Sequence, residues 1–407
     1  MKNLGTLYKF ELGKILRRRI AGVTVGISLL LILGTLAVDS LGDFYIDGVK
    51  VDTNFHMNQI YKADQQKLDG RLIDQELLEE MSNGYGKIPE EAINGVVHYI
   101  GTEEYQTYAR PYSAIFNFVR SAGMMTISEA MEWEADEQEL YQRRQQSLEE
   151  YWQEYFLTEK EKDFWREQDD KLEWPITYRF KEGYWHLLQS TYTVGLLILL
   201  ATAICLAGVF SEEHNRKTDQ LILSSKYGRE PVYLAKLLAG ISFTAGFNAL
   251  VFGMVILETY FLYGLEGFGA AFQLIMPGFS YSLNVGESVL LVFGMTMLAA
   301  VLTGVFVMLL SELFQNSLGT LALTVGLIIF CMAVSSLPAC YRVLSQAWSY
   351  LPSNFIAAWS IFDYRTVPVF GKMLVSWQAV PILYFILGGV LAVFGKRRYV
   401  NCQVRGR

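Results

Sequence analysis

Glu258 interrupts the apolar run 251–263, VFGMVILETYFLY, and is the residue best placed there to handle charge within an otherwise apolar stretch. A carboxylate in hydrocarbon costs several kcal/mol unless it faces water or a partner, so Glu258 is either a candidate pathway charge or a group at the membrane interface. Glu287 and Glu312 flank the apolar run 288–310 and read as helix-end charges. Hydrolytic chemistry finds no support. A phosphate-cradling loop needs G-x-x-x-x-G-K-[ST], whereas the Gly-Lys pairs ending at Lys14, Lys87, Lys372 and Lys396 are followed by Ile15, Ile88, Met373 and Arg397. His56, His98, His186 and His214 are scattered without metal-ligand spacing, and no G-x-S-x-G elbow occurs. The chain is therefore expected to be no enzyme and to hold no metal or cofactor of its own.

These residues must be positioned by membrane helices. Crossing a hydrocarbon core takes about 20 helical residues, and an open strand edge cannot be satisfied there. Six runs of suitable length and apolarity occupy residues 20–38, 184–210, 237–263, 288–310, 318–337 and 379–395. The expected fold class is an all-α polytopic membrane protein of six transmembrane helices, with a large, mainly helical extracytoplasmic domain between helices 1 and 2. Basic residues are retained on the cytoplasmic side of short loops. Residues 1–19 contain Lys2, Lys9, Lys14, Arg17, Arg18 and Arg19, and the 211–236 loop and the 396–407 tail are also basic, whereas 264–287 contains no Lys or Arg. Both termini are thus expected to be cytoplasmic.

Within a net charge of −7, residues 39–185 carry −16 and the remainder +9. A basic inner face suits anionic membrane lipid, an acidic outer domain suits water, and nucleic-acid binding is excluded as a class. A cleaved leader is an alternative reading of 20–38, disfavoured because the apolar run is long for one. Cys205 and Cys331 fall in expected spans and Cys402 in the tail, which leaves Cys340 without an outer partner.

Residues 3–16 place Leu4, Leu7, Tyr8, Leu12, Ile15 and Leu16 at helical spacing, as in an amphipathic helix lying on the inner leaflet. In the 39–183 domain, a helix is expected over 56–81 and another from Pro89. Thr126-x-x-Glu129 and Thr158-x-x-Glu161 are capping boxes that open helices running towards Tyr155 and Leu172. Leu140, Leu148, Tyr151, Trp152, Tyr155, Phe156, Phe164 and Trp165 form a stripe that reads as a helical core before it reads as a groove. The aromatic segment 338–378 is expected to form short interfacial helices at the outer mouth. Gly22-x-x-x-Gly26 and Ala300-x-x-x-Gly304 would permit close helix approach.

The most distinctive stretch joins the second and third spans: FSEEHNRKTDQLILSSKYGREPVYLAKLL, residues 210–238. Glu212 and Glu213 follow the span, Thr218 to Ser225 enclose an apolar run, Arg229 stands near a turn, and Lys236 opens the next span. In this order the loop resembles that of ABC-2 type permeases, the membrane-spanning subunits of bacterial ATP-binding-cassette exporters. Lys217 stands where that family commonly has Gly, and Lys226-Tyr227-Gly228 replaces a Pro-containing turn. The resemblance covers this loop, the six-span layout and the amphipathic N-terminus, but not the 39–183 domain in any specific way. It implies a coupling helix that uses Glu212, Glu213, Thr218, Leu221, Ile222, Ser225 and Arg229 to dock on a separate ATPase subunit. ATP and Mg would be bound by that partner, and the permease would form a homodimer or a heterodimer with a sister chain. The resemblance implies export across a bacterial cell membrane of a substrate that the sequence does not identify, a peptide, antibiotic or lipid being candidates. Two other readings stay open: a membrane-anchored sensor or resistance module signalling from its outer domain, and an ion-coupled transporter relying on Glu258.

Overall fold

The structure is a computed structural model that describes residues 4–89, 99–334 and 336–401. The helix expected from Pro89 and the tail beyond residue 401, with Cys402, lie outside the described residues. Two N-terminal helices, α1 (Leu4–Arg17) and α2 (Arg19–Ala37), precede a lobe. The lobe contains the strands β1 (Asp43–Ile46) and β2 (Val49–Thr53) and the helices α3 (Asn54–Lys67), α4 (Gln75–Tyr85), α5 (Ser113–Ala122), α6 (Ile127–Glu132), α7 (Glu137–Glu154) and α8 (Glu159–Asp169). Then follow the long α9 (Glu182–Leu206), the short α10 (Ser211–Asn215) and α11 (Asp219–Ser224), and the long helices α12 (Glu230–Leu262) and α13 (Val285–Phe314). Finally come α14 (Ser317–Ala333), the short α15 (Arg342–Ser349) and α16 (Ala358–Ile361), the strands β3 (Val367–Val369) and β4 (Lys372–Leu374), and α17 (Ser376–Val400).

Four of these helices are long and apolar enough to cross a membrane: α9 with its continuation to Asn215, α12, α13 and α17. The chain is a mostly helical membrane protein. The other two expected spans correspond to the shorter apolar helices α2 and α14. Helix α12 starts at Glu230, seven residues before the expected 237, because Pro231 suits a first turn and the charge of Lys236 is neutralised inside the bundle. Helices α9, α12 and α13 pack most closely where Gly240 faces the Met308 sulfur and Gly304 faces Thr244 and Leu206. The Ala300-x-x-x-Gly304 pattern is therefore used between helices of one chain, whereas nothing described approaches Gly22 or Gly26.

The lobe departs from its sequence reading at its start. Asp47 and Gly48 both have positive φ, 48° and 77°, which is what a tight I′ turn requires, and they join an antiparallel hairpin that the sequence reading did not include. The helix expected over 56–81 is two helices. Gly70, at φ +88°, and Asp74, whose side chain accepts from the Leu77 amide at 3.1 Å, end one and start the other, while 70–73 pairs with 176–178. Both capping boxes form, but the first opens only the six-residue α6. Asp136 then caps a separate α7, so no single helix runs to Tyr155.

Leu140, Leu148, Trp152 and Trp165 of the aromatic stripe are buried, and the Trp165 indole donates to the Tyr364 carbonyl at 2.6 Å. The stripe is thus a core shared with the 355–377 segment. Within that segment, Phe362, Tyr364 and Trp377 are buried against Phe279 and Trp165, and Phe355 against Tyr350 and Tyr384, while Tyr341, Trp359 and Phe370 remain exposed. The first group therefore packs against other parts of the chain.

Two charged groups tie the lobe to the rest. Arg144, buried, donates from Nη1 and Nη2 to Asp169 at 3.0 and 2.6 Å and from Nε to the Pro277 carbonyl at 2.7 Å. Glu161, 1% exposed, accepts from the Thr158 and Thr366 amides, both at 2.9 Å, from both threonine hydroxyls and from Arg342. Burial alone would raise its pKa, but the Arg342 guanidinium and these donors outweigh burial and hold the carboxyl at about 2. A carboxyl with a depressed folded-state pKa stabilises above its unfolded value of about 4.3 and loses that contribution as pH falls towards 2. Lowering pH across that window should loosen the lobe from the 342–366 segment, read as a change in tryptophan fluorescence. Glu161→Gln should loosen it already at pH 7 and flatten that pH dependence; an unchanged profile would remove Glu161 from the clamp.

Candidate functional site

At the end of α9 away from the lobe, three segments converge on one buried ammonium of α12. Lys236, one and a half turns into α12, is 1% exposed. Its Nζ donates to Glu213 Oε1 at 2.8 Å, to Glu11 Oε2 at 3.2 Å and to the Val209 carbonyl at 3.0 Å. Lys14 completes a ring, donating to Glu213 Oε1 at 2.8 Å and Glu11 Oε1 at 2.9 Å. Two ammonium groups and two carboxylates thus form a neutral cluster that joins α1, α10 and α12. Burial opposes the charge on Lys14, and its bonds to Glu213 and Glu11 raise its pKa nonetheless.

A second layer fixes the end of α9. Arg18 donates to the Gly208 carbonyl at 3.2 Å and pairs with Glu212 at 3.2 Å. The Phe210 and Ser211 amides donate to the buried Ser311 hydroxyl of α13 at 3.2 and 3.1 Å, and that hydroxyl donates to Ala207 O at 2.7 Å. The orphan groups that any helix end leaves are thereby satisfied from neighbouring helices.

The loop that follows is short and tightly tied. Thr218 precedes α11, and its hydroxyl donates to Glu213 O at 3.2 Å. Leu221 is 74% exposed, Ile222 is half-buried and Leu223 packs inward. Ser225 adopts extended backbone and donates to Ile222 O at 2.7 Å, so it closes the helix and does not extend its exposed face. Of the apolar run enclosed by Thr218 and Ser225, the outward surface is Leu221 with part of Ile222. Gly228 has no room for a side chain, since a Cβ there would lie 1.4 Å from Ile222 O. Arg229 donates to Val400 O at 2.9 Å and Lys396 pairs with Glu230 at 2.7 Å, so α17 holds the returning strand of the loop.

Beside this loop lies a cleft of about 550 Å³ lined by Arg17, Arg19, Arg216, Thr218 and Ile222, with the ion cluster as its floor. Glu258 takes no part in it. Twenty-two residues separate it from Lys236 on one helix, about 33 Å at 1.5 Å per residue, and its Oε2 has no hydrogen-bond partner among the described residues. Glu287 caps α13 through the Asn284 amide at 3.1 Å, as a helix-end charge does, whereas Glu312 is buried within the bundle. No group of three or more His, Cys, Asp or Glu that could hold a metal comes together among the described residues.

Sequence reasoning brought Glu212, Glu213 and Lys236 to this site but missed Glu11, Lys14, Arg18 and Ser311. Glu11 had a visible signal, being an acid on the stripe formed by Leu4, Leu7, Tyr8 and Ile15. The stripe itself is shared: Glu11 and Ile15 are buried, while Leu16 and Phe10 are exposed. The chain was compared with family models, with curated proteins and with solved structures, and none of the three comparisons gave a match.

Removing one member of a buried ion pair strands its partner at a cost on the order of 3 kcal/mol, whereas replacing both by apolar groups is often near neutral. Glu213→Gln and Lys236→Met should each lower Tm in detergent, and the Glu213→Leu/Lys236→Met double variant should recover much of the loss; strictly additive losses would count against direct coupling. Lys217 adopts φ +56°, where glycine is at ease and a Cβ is strained. Lys217→Gly should therefore leave stability unchanged or raise it by up to about 1 kcal/mol, despite glycine's greater freedom when unfolded. A clear fall in Tm would contradict the left-handed turn.

Proposed function

We propose that this chain is the permease subunit of an ATP-driven exporter in a bacterial cell membrane, with α11 docking on a separate ATPase subunit that binds ATP and Mg. The observation that carries the reading is Leu221, an exposed apolar side chain at the tip of a loop whose base is pinned to α1, α12, α13 and α17. A lone apolar tip on a firmly held base suits insertion into a partner's pocket, and force applied there would pass to α9 and α12 as a rigid-body movement. Six spans, with α2 and α14 as the two shorter ones, cytoplasmic termini, an extracytoplasmic lobe and pairing with itself or a sister permease complete the proposal. No ATP-binding loop is needed in the chain under this reading.

The test is co-expression with any ATPase subunit encoded next to its gene and purification in detergent. Leu221→Asp should release the ATPase while leaving Tm unchanged, since the side chain contributes little to the chain's own core. Retention of the ATPase by the variant would dissociate Leu221 from docking. A wild-type chain that retains no ATPase would end the exporter reading.

A further inference from the structure

Lys181 lies just before α9, on the lobe side of the bundle, and is 8% exposed. Its ammonium makes no hydrogen bond or ion pair with any described residue, and burial pushes its pKa down, with only Glu182 opposing. Such an ammonium is costly unless something pairs with it. The side chain lines a cavity of about 220 Å³ between α5, the start of α9 and the 274–277 loop. Arg120, whose side chain likewise makes no hydrogen bond or ion pair among the described residues, lines it too, with Asn117 and Ser121. The first turn of the 25-residue α9 opens there without a side-chain cap, adding the partial positive charge of a long helix. Glu182 is the one acidic group in the lining, and it sits 3.8 Å from His186. The lining also includes apolar side chains: Phe118, Leu274, Ile275 and the Trp185 indole.

We propose that this cavity is a binding site for a small carboxylate carried on an apolar body, such as the C-terminal residue of a peptide or an N-acylated apolar amino acid. The carboxylate sits against Lys181, Arg120 and the first-turn amides of α9; Asn117 and Ser121 bond the adjacent polar group; the apolar body lies on Trp185 and Ile275. The mixed lining disfavours an inorganic anion, which has no use for the apolar side chains. The volume, smaller than the 300–1,000 Å³ of drug-sized pockets, suits a single residue. Because the site joins α5 of the lobe to α9, an occupant would bridge the two. The inference is independent of the exporter reading.

The experiment is a thermal melt of the purified full chain in detergent with millimolar N-acetyl-leucine, N-acetyl-phenylalanine or the dipeptide Ala-Leu. N-acetyl-leucinamide, which lacks the carboxylate, and inorganic phosphate serve as controls. At least one carboxylate should raise Tm by several degrees, with the amide and phosphate inert. Lys181→Met should raise Tm without ligand, by relieving a buried charge, and abolish the ligand shift. Arg120→Gln should weaken the shift at least tenfold in ligand concentration, and it serves if the first variant fails to fold. No shift with any of the three carboxylates, an equal shift with the amide, or a shift that survives in both variants would overturn the proposal. A response to phosphate alone, lost in the variants, would replace it with an inorganic-anion site.

Discussion

The arrangement at the basic end depends on the need to compensate Lys236. A buried ammonium near the start of a long apolar helix cannot stay charged and isolated, because desolvation costs several kcal/mol. Three segments supply the compensation: Glu11 from α1, Glu213 from α10 and the Val209 carbonyl at the end of α9. Each is brought close for this contact, and each thereby loses freedom of its own. Lys14 then balances the second carboxylate, so the cluster is neutral and can be surrounded by Ile15, Val209 and Phe210.

That neutrality explains why α1 is no free amphipathic helix. Its apolar residues at helical spacing suit a membrane surface, and Phe10 and Leu16 still face outward. Glu11 sits on the opposite, buried side and faces α12, so α1 is anchored by charge as well as by apolar contact. Arg18 continues the same logic at the junction with α2, where it meets both the open carbonyls at the end of α9 and Glu212. The loop base is therefore stiff for reasons that do not involve the loop tip. Leu221 can be exposed without loosening anything.

How legible all this was in the sequence varies with range. Helix existence came from apolar runs, and the capping boxes at Thr126 and Thr158 both form, because these signals are local. The bounds of α12 were misplaced because a Lys normally ends an apolar segment, and nothing in residues 230–262 announces that Glu11, over two hundred positions away, will neutralise it. The 338–378 aromatics show the same limitation. Their density was plain, but Trp165 and Phe279, which bury Tyr364 and Phe362, come from distant parts of the chain. The hairpin at Asp47-Gly48 had a local signal that a reading weighted towards helices passed over.

The two ends of α9 are held in different ways, and the difference bears on which of them can transmit movement. At the lobe end, a Cβ on Gly183 would lie 1.9 Å from Gly264 O and one on Gly267 would lie 1.7 Å from Phe180 O, so backbones meet without intervening side chains. Arg144 and Glu161 add buried charged bonds nearby. Contacts of that kind tolerate little sliding. At the other end the ties run through long Lys, Arg and Glu side chains, which can tilt while keeping their partners. Between them, Asn248 is fully buried with both side-chain polar atoms unpaired among the described residues, as is the Thr202 hydroxyl. Each unpaired buried polar group costs about 1–3 kcal/mol, and the lobe end carries them too, at Glu258 and Thr259. A packing that gave Asn248 a partner would recover part of that cost. Movement imposed at the α11 end would meet most resistance at the lobe, where backbone lies directly on backbone, which makes the lobe end the fixed point of α9.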